Sequence, residues 1–163
     1  MDTFQFSSGK VFFTSRFTFY DLFNVFDNPP LRAIHYINGG SMKIRIIVGR
    51  VTVEAELFGT ACAQAIAKLL PINASPNEWG DEFYFSVDVK ASLDETATRN
   101  VRAGDIGYWP PGNAIAIFFG PTPLSGGPDP VPASDVNLIG RTTGDATILR
   151  QAKGASTIRI EAI

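Results

Sequence analysis

Residues 104–123, GDIGYWPPGNAIAIFFGPTP, restrict the fold more than any other stretch of this chain. From Asn113 to Phe119 the run carries no charge, and its apolar residues fall on both alternating faces. A strand of that kind has to be covered on both sides. Pro110 and Pro111 precede it, and Pro121 and Pro123 follow it. Proline fixes φ and donates no hydrogen bond, so these clamps hold the flanks rigid without continuing a sheet. Tyr108, Trp109, Phe118 and Phe119 stand beside the clamps. Stiff aromatic loops next to a core strand build pockets, and a pocket is expected here. No catalytic signature lies within the stretch.

The chain around it reads as strands. Ile44, Ile46 and Val48 alternate with Lys43, Arg45 and Ile47, and after Gly49-Arg50 the residues Val51, Val53, Ala55 and Leu57 alternate with Thr52, Glu54 and Glu56. Two such runs around two residues predict a hairpin, and glycine at the first turn position fits a type II′ turn. Thr60 is a candidate N-cap for a helix over 61–70, with Ala65, Ile66, Leu69 and Leu70 as its apolar stripe and Pro71 as its stop. Residues 71–81 read as an irregular loop bearing Trp79, and Phe83, Phe85, Val87 and Val89 alternate as a further strand. The polar 90–103 segment holds short strand or turn pieces. Residues 124–134, LSGGPDPVPAS, read as a surface loop without core-forming content. A strand at 136–140, a short helix at 145–151 and a final strand within 156–163 complete the order. Seven or eight strands with two short helices predict a mainly β fold, a barrel closed so that no sheet edge is exposed.

Composition sets limits on function. A net charge of -2 gives no electrostatic reason to expect nucleic acid or an anionic membrane. No apolar run approaches the roughly 20 residues that span a bilayer. One cysteine, Cys62, rules out an internal disulfide framework and suits a reducing, cytoplasmic setting. Cys62 falls in the first turn of the expected helix, where a thiol pKa can drop, but a small buried side chain is the plainer reading. The one histidine, His35, lies outside the barrel region, so Ser-His-Asp and Cys-His catalysis are excluded there and zinc is disfavoured. Asp81-Glu82 and Asp94-Glu95 are pairs of acids, not the cluster that a hard cation needs. No phosphate-cradling glycine motif occurs. No cofactor and no metal are expected.

Residues 1–41 differ from the rest. Eight of the 13 phenylalanines lie between Phe4 and Phe26, and Gly39-Gly40-Ser41 reads as a joint. Two readings stand. Residues 1–41 are a translated leader ahead of a start at Met42, or a genuine extension that packs its aromatics on the domain or on a second subunit and so makes an oligomer. An unpacked segment so rich in phenylalanine is an aggregation hazard. The domain proper is expected over 42–163.

Within those residues, GRVTVEAELFGTACAQAIAKLL at 49–70 resembles the opening hairpin and first helix of cyclophilins, and IGRTTGDATILRQA at 139–152 resembles a strand and short helix near their end. NEWGDEFYF at 77–85, GDIGYWPPGNAIAIFFGPTPLS at 104–125 and VNLIGR at 136–141 are similar to the hallmarks of small prokaryotic cyclophilin-like proteins of largely uncharacterised function. The resemblance implies an eight-stranded barrel capped by two helices. It does not bring prolyl isomerase activity, because the Phe-His-Arg motif and the Gln-Gly-Gly-Asp segment of true cyclophilins are both missing.

The expected site is an aromatic and proline-lined pocket. Trp79, Tyr84, Trp109, Phe119 and Pro110 would supply its apolar wall, and Glu82, Thr122 and Asn137 the polar groups that orient a ligand. Each has a plainer reading: Trp109 as a plug of the barrel end, Phe119 as core, Glu82 as a solvated edge charge. The function expected is binding of a small molecule or short peptide. A weak prolyl isomerase, with Arg99 or Arg102 polarising the amide, is the runner-up. A partner domain for an amide- or urea-processing enzyme, as in related barrels, is a third reading.

Overall fold

The computed structural model describes residues 40–163, so the expectations for the aromatic extension lie outside the described residues. Strands β1 (Met42–Val48) and β2 (Val51–Leu57) form the hairpin in the expected register, with Val48 opposite Val51. Gly49 takes φ 57 and Arg50 stays at negative φ, the sign pattern of a type II′ turn. Met42, Ile44, Ile46 and Val48 with Val53, Ala55 and Leu57 fill the interior face. The opposite face pairs Lys43 with Glu56 and Arg45 with Glu54, as a solvated strand face should.

Helix α1 (Ala61–Ala67) starts where Thr60 accepts the Ala63 amide at 3.2 Å. It sends Cys62, Ala63, Ile66 and Ala67 into the core. After it come β3 (Ile72–Ala74), β4 (Asn77–Glu78), β5 (Glu82–Ser86), β6 (Ala97–Thr98) and β7 (Asp105–Trp109). A 3₁₀ turn over Pro110–Gly112 leads into β8 (Ala114–Phe118), buried at every position. Strand β9 (Val136–Thr142), a second 3₁₀ helix (Ala146–Ala152) capped by Asp145, and β10 (Ile158–Ala162) finish the chain.

The strands pair in the order β3-β10-β1-β2-β9-β7-β8-β5-β4, with β6 beside β9. This corrects the strand count, since ten strands form the sheet where eight were expected. The ladder is an open path from β3 to β4, and among the described residues no pairing joins its ends, so closure of the barrel is not observed. Strands β3, β4 and β6 are two or three residues long, too short to display an alternation in sequence. The second helix is 3₁₀ rather than α.

The two faces of the sheet are covered differently. On the interior side one core takes in β1, β2, β5, β7, β8 and both helices. On the outer side of β5, β7, β8 and β9 lies a second, smaller apolar cluster of Val101, Ala116, Phe118 and Val136, with Tyr84, Trp109 and Leu138 against it. The double burial of β8 follows: Ile115 and Ile117 face the main core, and Ala116 and Phe118 the outer cluster.

Candidate functional site

The outer cluster is not fully roofed. A cavity of about 240 Å³ opens over it, lined by Trp79, Glu82, Tyr84, Trp109, Ala116, Phe118, Pro132, Ala133 and Val136. The strand period places the floor. Glu82 stands opposite Phe118 and Tyr84 opposite Ala116 across the β5–β8 ladder, so all four share one face. Gly107 of β7 meets the same face opposite Ala116. A Cβ there would fall 2.9 Å from the Val136 Cγ2, so glycine is what lets β9 close on the floor.

Two features fix the walls. Trp109 donates its indole N–H to the Ser134 hydroxyl at 2.7 Å, tying the ring to the loop that forms the roof. Gly112 lies under the same ring, where an added Cβ would sit 2.6 Å from two of its carbons. Trp79 is held by the turn between β4 and β5, where its amide donates to the Glu82 carbonyl at 3.0 Å. Gly80 turns the chain there with φ 65, pressed on the backbone of Pro121 and Thr122. The proline clamp at 121–123 thus braces the turn that carries Trp79 and Glu82.

Glu82 is the polar centre of the cleft. It is 7% exposed, and its Oε2 is buried with no hydrogen-bond partner among the described residues. Burial raises its pKa from 4.5 to about 7. Its neighbour Asp81 behaves oppositely. Burial would raise that carboxyl too, but hydrogen bonds from Arg150 at 2.7 Å and Lys153 at 3.1 Å hold it below the usual range. The two acids of one dipeptide point to opposite sides of the strand, one to a paired salt bridge and one to an apolar cleft.

Of the eight residues singled out from sequence, Trp79, Glu82, Tyr84 and Trp109 share this cavity. The other four lie elsewhere. Phe119 is fully buried in the main core, its ring 4.7 Å from that of Phe83. Asn137 is fully buried and pins the 90–96 segment, donating to the Ser92 carbonyl and accepting the Asp94 amide, both at 2.9 Å. Thr122 fastens the base of the 122–131 loop, its hydroxyl donating to the Val131 carbonyl at 2.5 Å. Pro110 lines a separate groove with Leu93, Arg99, Pro111, Ser134 and Asp135. The sequence reading missed Pro132 and Ala133, in a loop taken to be plain surface, and Ala116, Phe118 and Val136 on the floor. The buried prolines Pro130 and Pro132 in that loop were the available signal.

Cys62 is buried, and desolvation pushes its thiol pKa up, with a hydrogen bond from Asn137 opposing and Asp94 adding to the rise. A thiol so placed is unreactive. Among the described residues no cluster of three or more histidine, cysteine or acidic side chains could hold a metal ion, and no helix is long and apolar enough to cross a membrane.

A twisted antiparallel sheet with one helix, a late 3₁₀ helix and an aromatic cleft on its outer face defines the class, and the comparisons agree. The chain belongs to the cyclophilin-like family, whose model matches residues 42–161. The solution structure of the hypothetical protein AF2241 from Archaeoglobus fulgidus is 36% identical, covering 77% of this chain and 97% of that one with a TM-score of 0.65. The structure of McbB in complex with tryptophan shares the fold at 16% identity and a TM-score of 0.54, covering 73% of this chain and 44% of that one. No curated protein matches the chain.

Proposed function

We propose that this chain is a small-molecule-binding member of the cyclophilin-like family, with the ligand seated in the cleft between Trp79, Tyr84, Trp109 and the 132–133 loop. One observation carries the reading. A carboxyl group on the floor of an otherwise apolar cleft has a buried oxygen that no described residue satisfies. Buried polar atoms are rarely left unpaired unless something else completes them. The cavity, at about 240 Å³, lies below the roughly 300–1,000 Å³ usual for drug-sized ligands. That size favours a compact molecule over an extended peptide.

Prolyl isomerisation gains little support from this geometry. True cyclophilins polarise the prolyl amide with an arginine, and no arginine stands in the lining. Arg99, one of the two arginines considered for that role, pairs with Asp135 at 3.0 Å beside the separate groove.

The test is mass spectrometry of the protein purified gently from its native cell, alongside Trp109→Ala. The wild type is expected to carry a stoichiometric small molecule, and the variant to lose it while its far-UV circular dichroism stays that of the folded sheet. Unfolding of the variant would make Trp109 a structural residue. A wild type free of any bound compound, with no response to added ligands, would refute the reading.

A further inference from the structure

The chemistry of the ligand can be narrowed further, on the footing that the cleft is a binding site. The unsatisfied atom is a carboxyl oxygen, which in its ionised form can only accept, so the partner that completes that form is a hydrogen-bond donor. Among the described residues a counter-charge is missing as well. Asp81 is engaged with Arg150 and Lys153, Glu78 accepts the Gly154 amide, and Asp135 pairs with Arg99. Strand β8, which pairs alongside Glu82, has no charged residue between Ala114 and Phe118. Tyr84 is the one other titratable side chain in the lining. Glu82 shares the lining with four aromatic side chains, Trp79, Tyr84, Trp109 and Phe118, and the negative faces of such rings attract cations and repel anions.

A carboxylate and electron-rich rings ask for the same partner. We propose that the cleft takes a compact organic amine in its protonated, primary or secondary ammonium form, which donates an N–H to Glu82 and lays its apolar body against Trp79, Tyr84 and Trp109. A quaternary ammonium would satisfy the charge but leave the buried oxygen without a donor. A neutral alcohol would supply the donor but not the charge. The cavity, at about 240 Å³, suits a compact apolar body.

The proposal sets the sign of the pH dependence. The ammonium needs Glu82 ionised, so binding below about pH 7 must first expel its proton. Affinity therefore climbs with pH up to about 7 and then levels off until the amine itself loses its proton.

The full-length chain is titrated with benzylamine, benzyltrimethylammonium and benzyl alcohol between pH 5 and pH 8.5, following tryptophan fluorescence and calorimetry. At pH 8 benzylamine is expected to bind at least about tenfold more tightly than benzyl alcohol, with the quaternary ion between them, since hydrogen bonds to charged groups are the strong ones. Its affinity should fall by about tenfold per pH unit below the Glu82 transition. Glu82→Gln should lose that preference and that pH dependence; if the variant does not fold, the wild-type pH profile decides alone. Equal binding of charged and neutral probes, or binding that strengthens in acid, would overturn the amine assignment and leave the cleft as a binding site for another class. Silence toward all three probes at millimolar concentration would overturn the assignment and the cleft reading together.

Discussion

The stability of the ligand-free protein should carry the signature of Glu82. The folded-state pKa stands at about 7 against an ordinary 4.5, with burial as the cause. Below the lower value the folded and unfolded chains both hold the proton, and the group costs nothing. Between the two values the folded chain keeps a proton that the unfolded chain has released, so stability falls as pH rises. Above about 7 the loss is complete. At about 1.4 kcal/mol for each pH unit between the two values, the ionised form costs the fold about 3 kcal/mol.

Glu82→Gln removes the titration while keeping shape and volume. The stability difference between variant and wild type is measured by urea unfolding at pH 4.5, 6, 7 and 8, without ligand. Other groups titrate equally in both proteins and cancel. The variant is expected to gain on the wild type by about 3 kcal/mol between pH 4.5 and pH 8, with most of the change complete by about pH 7. For a domain of this size that is a relative shift in Tm of roughly 10 °C. A difference that stays flat across the range would mean that Glu82 ionises as freely as in water, and the account of a desolvated, unpartnered carboxyl would fail.

Three further substitutions separate cleft from core. Phe119→Ala empties a fully buried position against Phe83 and should cost about 3–5 kcal/mol in urea unfolding, with ligand affinity unchanged in the protein that remains folded. Gly112→Ala drives a methyl group into the Trp109 ring; it should shift the near-UV circular dichroism of that tryptophan and weaken ligand binding, at a cost of about 1–3 kcal/mol in stability. Asp105 is buried, accepts the Arg102 amide at 2.8 Å and pairs with Arg141 at 2.6 Å, so Asp105→Asn should cost about 2 kcal/mol and leave the cleft untouched.

Where a physical rule acts on neighbouring residues, the sequence was readable. The β1–β2 hairpin, the Thr60 cap and the double-faced burial of β8 each follow from a period, a turn residue or a cap within a few positions. The site was half readable for the same reason. Glu82 and Tyr84 lie two apart on one strand and necessarily share a face, and Trp109 sits beside the proline clamp. What failed was pairing between distant residues. Nothing local shows that Asn137 spends both ends of its amide on Ser92 and Asp94. Phe119 was readable by contrast, because the period of two that turns Ile115 and Ile117 to the main core turns Phe119 there as well, where its ring meets Phe83. The 124–134 loop looked empty because it has few large apolar residues, yet its prolines suffice to roof a floor that other strands provide.

The outer face of the sheet states the functional argument most directly. Along β1, β2 and β10 that face carries Lys43, Arg45, Glu54, Glu56, Arg159 and Glu161, paired across strands and open to water. Along β5, β7, β8 and β9 it carries Tyr84, Trp109, Ala116, Phe118 and Val136, apolar groups that water would not cover favourably. If covering that patch were the whole purpose, an apolar side chain at position 82 would serve better, since an unpaired buried acid opposes the burial around it. The acid stands instead where the roof stops short, with an oxygen that no described residue satisfies buried in the floor of the opening. A donor arriving in the cleft would recover the free energy that the empty fold forgoes at neutral pH. The instability of the apo protein above pH 7 and the affinity of its ligand are thus expected to be two measurements of one desolvated carboxylate.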